Sequence, residues 1–238
     1  GAYIVCDSDE LMGINNRVQL NFAENHMKNR ILEGHMMNGV TIIDRNSTVI
    51  GSDVEIGRDT LVLPGSYLMG RTKIGEECVI GPSARIQDTQ IGDCVEVKDS
   101  TVVESRIGDH TKVGPYAYIR PKSNVGKNVK IGDFVEVKNS NIGDGTKISH
   151  LTYVGDGDVG KNCNLGCGVV FVNYDGSKKA RTTVEDDAFV GCNVNLIAPV
   201  TVKEGAYVAA GSTITDEVPE RALAIARARQ SNKLEWNK

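Results

Sequence analysis

An apolar residue at every sixth position is the feature that most constrains what this chain can fold into. An α-helix repeats its apolar positions about every 3.6 residues and a half-buried strand about every 2, so neither explains this spacing. The spacing fits a triangular coil in which each side is one short strand that points an apolar residue inward. The first uninterrupted run contains Ile50, Ile56, Val62, Leu68, Ile74, Ile80 and Ile86.

This period continues, with a few steps of five residues, as far as Ile214. Glycine follows many of the apolar positions, as in Ile74-Gly75, and suits the tight turns between the sides of a coil. Three hexapeptides make one turn, so residues about eighteen apart are expected to stack about 4.8 Å from each other. Residues 41–216 therefore predict an all-β fold, a parallel β-helix of about ten coils. The spacing alone leaves the handedness open.

The segments on either side of the repeat have different patterns. Residues 13–40 predict an α-helical linker, with Asn15 or Asn16 as its N-cap and Gly39 as its C-cap. Residues 1–12 predict one extended piece and a polar turn, which is too little to form a domain. The basic tail, 217–238, is expected either to be helical or to extend onto a neighbouring subunit. The apolar residues expected on one face of the helix are Val18, Phe22, Met27, Ile31, Leu32 and Met36.

Composition narrows the class of protein. Aromatic residues make up only 5% of the chain while glycines number 26, which favours a thin-walled repeat over a bulky core. The net charge of −4 gives no reason to expect a nucleic acid as partner. The six cysteines lack paired zinc-binding spacing and indicate reduced thiols in the cytoplasm. Because the apolar stretches are too short to span a bilayer, we expect a soluble protein without membrane insertion.

Two cations occupy equivalent positions in neighbouring coils. Arg120 and Lys138 are eighteen residues apart, and each follows an inward-pointing residue of the repeat. Stacked like charges repel unless an anion lies between them, so the pair is a candidate phosphate clamp. The alternative is that both are solvated surface charges, or that they pair with Glu136 and Glu104.

A histidine and an insertion complete the candidates. His150 follows Lys138 by twelve residues, and we expect it to lie near the two cations. A neutral imidazole there could act as a general base, although a purely structural surface histidine fits the spacing equally well. Residues 173–181, with the sequence NYDGSKKAR, interrupt the period and predict a projecting loop that serves binding.

Several longer motifs carry a resemblance to a known family. They include GINNRVQL (13–20), YIRP (118–121), GDFVEVKNS (132–140), SHLTYVGD (149–156) and NYDG (173–176). With them, the chain resembles the bacterial bifunctional N-acetylglucosamine-1-phosphate uridyltransferase/glucosamine-1-phosphate acetyltransferase family. The resemblance implies a left-handed β-helix that forms a homotrimer with its sites between subunits. It also implies transfer of an acetyl group from acetyl-CoA to glucosamine-1-phosphate, a step towards UDP-N-acetylglucosamine for peptidoglycan and lipopolysaccharide.

The resemblance also implies roles for individual residues. His150 matches the general base, and Glu136 is a candidate to orient it. Arg120 and Lys138 match the groups that hold the sugar phosphate. Further sugar and phosphate contacts are implied for Tyr153, Asn164 and Lys179. Acetyl-CoA contacts are implied for Cys167, Asn173, Tyr174, Cys192, Ala210 and Arg227, and a backbone N–H near Cys167 could stabilise a tetrahedral oxyanion.

The family's other activity requires a uridyltransferase domain with a glycine-rich nucleotide-binding loop, which this sequence lacks. We therefore interpret residues 1–12 as the remnant of that domain. Asn15 matches a residue that helps to hold Mg²⁺ and UTP in the intact parent, and here it is expected to be vestigial or simply a helix cap. Two other functions stay open, namely a different hexapeptide acyltransferase and a non-catalytic trimerisation scaffold.

Overall fold

The computed structural model describes residue 4 and residues 11–236. The extended piece predicted from Tyr3 to Cys6 therefore falls largely outside the described residues. In the described part, one α-helix, α1 (Arg17–Met37), precedes thirty short β-strands. No helix in that part is both long and apolar enough to cross a membrane.

The start of α1 is set by a reciprocal pair of hydrogen bonds. Asn16 is the N-cap, because its side-chain oxygen accepts from the backbone N–H of Gln19 at 2.9 Å. The side chain of Gln19 in turn accepts from the backbone N–H of Asn15 at 2.7 Å. The helix ends with Asn38 as its C-cap, so the predicted cap Gly39 lies one residue too far along the chain. Gly39 adopts the positive φ, +93°, that the chain needs as it leaves the helix.

The predicted apolar face of α1 is wrong for most of its residues. Leu32 is fully buried and Ile31 packs partly against the core. The reason is that, in the described part of the chain, α1 packs beside the first two strands of the β-helix, so its other apolar side chains lie away from the described core. The exposed members of the predicted face are Val18, Phe22, Met27 and Met36.

The strands form three parallel sheets, which are the sides of a triangular coil. Face A contains β1 (Thr41–Ile42), β4 (Leu61–Val62), β7 (Val79–Ile80), β10 (Glu96–Val97), β13 (Lys112–Val113), β16 (Lys130–Asp133), β19 (Lys147–His150), β22 (Asn164–Leu165), β25 (Phe189–Val190), β28 (Tyr207–Val208) and β30 (Leu223–Ala224). Face B contains β2 (Val49–Ile50), β5 (Tyr67–Met69), β8 (Arg85–Gln87), β11 (Thr101–Val103), β14 (Tyr118–Ile119), β17 (Glu136–Lys138), β20 (Tyr153–Gly155), β23 (Val170–Val172), β26 (Asn195–Ile197) and β29 (Thr213–Ile214). Face C contains β3 (Glu55–Ile56), β6 (Lys73–Ile74), β9 (Gln90–Ile91), β12 (Arg106–Ile107), β15 (Asn124–Val125), β18 (Asn141–Ile142), β21 (Gly157–Val159), β24 (Thr182–Val184) and β27 (Val200–Val202).

This architecture confirms the predicted parallel β-helix of about ten coils preceded by a helix, and it is consistent with left-handed coiling. The basic tail extends the solenoid instead of forming a helix, since Leu223–Ala224 pairs with Tyr207–Val208 on face A. The predicted loop is also present, because the chain leaves face B after Val172 and returns to face C at Thr182.

The core is a stack of apolar side chains inside the triangle. On face B, Ile119, Val137, Val154 and Phe171 follow one another in successive turns, and each has 0% exposure. Burying each such side chain contributes about 1.5–3 kcal/mol, so the repeated apolar position is the main source of stability. The sheets form because each strand's outward side chain faces solvent while its inward one joins this stack.

Candidate active site

The corner between faces A and B carries a column of stacked residues. Asp133 and His150 are register partners on neighbouring strands. The same register, continued through the next three strands of face A, places Cys167 above His150, then Cys192, then Ala210. Backbone hydrogen bonds of 2.8 Å, accepted by the carbonyls of Cys167 and Cys192 from the next turn, support this register. We call these five residues the edge column.

His150 and Asp133 interact directly within the edge column. Nδ1 of His150 lies 2.5 Å from Oδ1 of Asp133, and the two side chains are 55% and 37% exposed. The hydrogen bond with His150 holds the pKa of Asp133 below its ordinary value, although partial burial opposes this. Nε2 of His150 makes no hydrogen bond within the described chain. The imidazole therefore has one nitrogen engaged and one available for chemistry.

The expected contact between Glu136 and His150 is absent within the single chain. Glu136 lies on face B, and its Oε1 accepts from Nη1 of Arg120 at 2.7 Å. This pairing draws the carboxylate towards the guanidinium, and it raises the pKa of Arg120. The carboxylate beside His150 is that of Asp133, which our sequence reasoning missed. Counting seventeen residues back from His150 would have found it, because a five-residue step shortens this turn by one.

A cationic cluster lies at the other end of face B. Arg120 stacks on Lys138 as predicted, since the register pairs Ile119 with Val137 and the backbone N–H of Arg120 donates to the Val137 carbonyl. Lys179, from the loop, comes close enough to Lys138 that their repulsion lowers the pKa of Lys179. The alternative pairing with Glu136 also occurs, but only for Arg120.

Lys138 has a carboxylate partner of its own. Its Nζ lies 3.4 Å from Oδ2 of Asp156, whose side chain is only 9% exposed. The cluster thus holds three cations against two carboxylates and keeps one net positive charge, which suits a phosphate.

Asp156 organises the base of the loop. It accepts hydrogen bonds from the side-chain amide of Asn139, at 2.6 Å, and from that of Asn173, the first residue of the loop. Burial acts to raise the pKa of Asp156, but these hydrogen bonds and the charge of Lys138 together hold the pKa below its ordinary value. Asp156 is therefore ionised at neutral pH and connects the loop to Lys138.

Arg181 anchors the other end of the loop. Its guanidinium donates to both carboxylate oxygens of Asp158, at 2.9 and 2.7 Å, and to the carbonyls of Gly157 and Asn139. Between the anchors, Tyr174 and Lys179 form an antiparallel bridge. The loop is thus a small closed structure that presents Lys179 to the cluster.

The remaining predicted contact residues divide between the two regions. Tyr153 lies on face B between them, in register with Glu136, and its phenol covers Gly155 so closely that a Cβ there would overlap it. Asn164 begins β22 on face A, three residues before Cys167 of the edge column. Arg227 reaches Gly211, the neighbour of Ala210 at the top of the edge column. Asn173 and Tyr174 belong to the loop and so to the cationic end.

His150 is not close to the cations within one chain, contrary to our expectation. It stands immediately before the corner between faces A and B, while Lys138 stands immediately before the next corner. Asp133 is the register partner of His150, and Lys138 lies five residues after Asp133. Five residues of mostly extended chain span roughly 15 Å. The edge column and the cationic cluster are therefore separate surfaces of the protomer.

Comparisons with known proteins agree with the repeat architecture. A family model described as bacterial transferase hexapeptide (six repeats) matches residues 47–88, and one described as GMPPB C-terminal domain matches residues 104–174. The bifunctional protein GlmU of Acetivibrio thermocellus is 66% identical over 236 residues, which are 99% of this chain and 51% of that protein. The bifunctional protein GlmU of Clostridioides difficile is 58% identical with the same coverage. The chain is a relative of the bifunctional GlmU proteins.

The chain spans about half the length of the GlmU relatives that it matches. Among solved structures, LpxA, a UDP-N-acetylglucosamine acyltransferase from Bacteroides fragilis, superposes with a TM-score of 0.56 at 18% identity. The likeness covers 66% of this chain and 68% of that one. At this identity the likeness shows a shared fold.

Asn15, the residue matched to a Mg²⁺ site in the intact bifunctional family, is exposed here. Within residue 4 and residues 11–236, no group of three or more histidine, cysteine, aspartate or glutamate side chains could hold a metal ion.

Proposed function

We propose that this chain transfers the acetyl group of acetyl-CoA to the 2-amino group of glucosamine-1-phosphate, giving N-acetylglucosamine-1-phosphate. The observation that carries the proposal is the edge column, which stacks His150 directly below Cys167 and Cys192 in one open corner of the β-helix. The high identity to bifunctional GlmU proteins supports this choice of substrate. The product would lead to UDP-N-acetylglucosamine for peptidoglycan and lipopolysaccharide.

In this mechanism, His150 is the general base. Its Nε2 accepts a proton from the amino group as the nitrogen attacks the thioester carbonyl carbon of acetyl-CoA. A backbone N–H near Cys167 stabilises the oxyanion that forms, and the C–S bond then breaks. The departing CoA thiolate takes up the proton from the imidazolium, so the base is regenerated and no covalent acyl-enzyme forms.

The cationic cluster would hold the other end of the acceptor. Arg120, Lys138 and Lys179 provide the charge for the sugar phosphate, and their net positive charge supports this assignment. Tyr153 and Asn164 are proposed to contact the sugar ring. For acetyl-CoA the proposed contacts are Cys167, Asn173, Tyr174, Cys192, Ala210 and Arg227.

We also propose that the active protein is a homotrimer. The amine and the phosphate of the acceptor sit on neighbouring carbons, yet His150 ends a strand of face A at its corner with face B, and Lys138 lies at the far end of face B. A three-fold arrangement would bring the edge column of one protomer against the cationic cluster of the next. Exposed apolar side chains beside the edge column support this, since such patches mark interaction surfaces. These side chains are Tyr116, Phe134 and Leu151, each more than half exposed, with the two rings stacked 5.4 Å apart.

A cytoplasmic location fits this reaction. All five cysteines in the described part of the chain are free thiols, as expected in a reducing compartment. We assign the uridyltransferase activity implied by the resemblance, with its Mg²⁺, to the portion of the GlmU relatives that this chain does not span.

The direct test is release of free CoA thiol from acetyl-CoA in the presence of glucosamine-1-phosphate. We expect His150→Ala to reduce the rate by about 10²-fold or more, as for removal of a general base. His110→Ala is the matched control, because His110 is another exposed histidine, placed in a turn of the same solenoid. Reaction with glucosamine but not its phosphate would instead indicate a different hexapeptide acyltransferase. An inactive trimer would support the scaffold function.

A further inference from the structure

We propose that Asp133 is the positioning residue of His150, holding the imidazole in the tautomer that carries its proton on Nδ1. This inference rests on the proposed function, because that function gives His150 its catalytic role.

The backbone brings the two residues together independently of any ligand. On face A, β16 and β19 each contain four residues, whereas the other described strands of that face contain two. The additional pairing ends at Asp133 and His150, so the ladder holds both backbones at the corner. The backbone N–H of Leu151 also donates to the Asp133 carbonyl at 3.0 Å. Gly132 permits this close approach, because a Cβ there would overlap the Ser149 carbonyl oxygen.

The chemistry of the pair selects one tautomer. A neutral imidazole has one N–H, which can sit on either nitrogen, while an ionised carboxylate can only accept. The 2.5 Å separation from Oδ1 of Asp133 therefore requires the proton of His150 on Nδ1. Nε2 then presents a lone pair, which is the form that can take a proton from an amine. Because the His150 side chain is more than half exposed, this hydrogen bond holds the ring more firmly than packing within the described residues does.

Glu136 cannot perform the same task within the protomer. Its carboxylate is occupied by Arg120 at 2.7 Å, and it lies three residues beyond Asp133, around the corner on face B. Asp133 therefore contacts the proposed base, His150, whereas Glu136 contacts Arg120 of the cationic cluster.

The first measurement is ¹⁵N NMR of labelled histidine side chains in the intact chain without substrates, with the His150 signal identified by its loss in His150→Ala. We expect wild type to show the Nδ1–H tautomer. Asp133→Asn keeps the shape but can donate its amide N–H to Nδ1, so the ring should change to the Nε2–H tautomer. Asp109→Ala is the control, because Asp109 also contacts neighbouring turns, through Lys127 and the Asp93 backbone, at another corner.

The second measurement separates kcat from KM. In Asp133→Asn, kcat should fall roughly 10- to 100-fold, by analogy with the loss of a hydrogen-bond partner that orients a metal-bound histidine. KM for both substrates should change little, and Asp109→Ala should match wild type. A wild-type Nε2–H tautomer, or full kcat in Asp133→Asn, would overturn the proposal. If wild type lacks acetyltransferase activity while its tautomer still depends on Asp133, the proposed function fails and the positioning stands.

Discussion

Nζ of Lys138 lies 3.4 Å from Oδ2 of Asp156, and the two side chains are only 20% and 9% exposed. The pair is thus partly removed from water at the point where the loop leaves face B. Asp156 also accepts hydrogen bonds from the side chains of Asn139 and Asn173, so its carboxylate has three donors. Removing it would leave a mostly buried cation without a partner, which is more costly than removing both members of the pair.

Asp156→Ala should therefore destabilise the protein by about 3 kcal/mol. Urea unfolding, followed by circular dichroism, measures this change in the free energy of unfolding. Asp53→Ala is a suitable control, since Asp53 is an exposed carboxylate in an early coil. A loss of stability below about 1 kcal/mol would show that the pair of Lys138 and Asp156 contributes no more than an ordinary surface ion pair.

Lys179→Ala should raise KM for glucosamine-1-phosphate roughly 10- to 100-fold, because a hydrogen bond to a charged group contributes about 1.5–3 kcal/mol. KM for acetyl-CoA should stay unchanged. Steady-state kinetics with each substrate varied separately checks both statements. The neighbouring lysine provides the control: Lys178→Ala removes the same charge from the same loop and should leave both KM values near wild type. Equal effects from the two variants would show a general electrostatic attraction and no specific contact.

The ion pair between Asp158 and Arg181 should make stability depend on pH. The hydrogen bond from Arg181 holds the pKa of Asp158 below its ordinary value, against the opposing effect of burial. The unfolded chain therefore takes up this proton at a higher pH than the folded chain. The stabilisation is present above about pH 4 and is lost as the pH falls below it. Unfolding free energies measured at pH 7 and pH 3 should differ less in Asp158→Asn than in wild type, and an unchanged difference would contradict this assignment.

Phe134→Glu should dissociate the proposed trimer, because burying an unpaired charge at an interface costs several kcal/mol. Sedimentation velocity measures the change in mass, and activity should fall together with it. Phe22→Glu is the control, since Phe22 is similarly exposed but lies on α1, outside the β-helix. A trimer that persists in Phe134→Glu would show that this corner is not the interface.

Two inactive variants should complement each other if the site is shared. Lys138→Ala retains the edge column, and His150→Ala retains the cationic cluster. After unfolding and refolding as an equal mixture, about one quarter of the sites should combine both intact halves. Activity measured against each variant refolded alone would reveal this. No recovery from a correctly formed mixed trimer would mean that one protomer supplies both halves.

The hexapeptide period predicted most of the fold because it relates position in the sequence directly to position in space. The stacking of Arg120 on Lys138 followed from their separation of eighteen residues alone. The period could not identify Asp133 as the partner of His150, because one shortened step moves the partner to seventeen residues away. It also gave no information about α1, of whose apolar face only Leu32 and Ile31 pack against the core within the described residues.

The sequence by itself thus determined the solenoid, the site of the loop and the identity of the candidate base, since each depends on a local pattern repeated along the chain. Only the tertiary structure decided which carboxylate serves which cation or imidazole. It also decided that His150 lies at the corner between faces A and B, while Lys138 lies at the far end of face B. The physical reason is that these residues lie at the corners of the β-helix. The position of each corner depends on all the five-residue steps that precede it, and no single repeat encodes the directions of the side chains there.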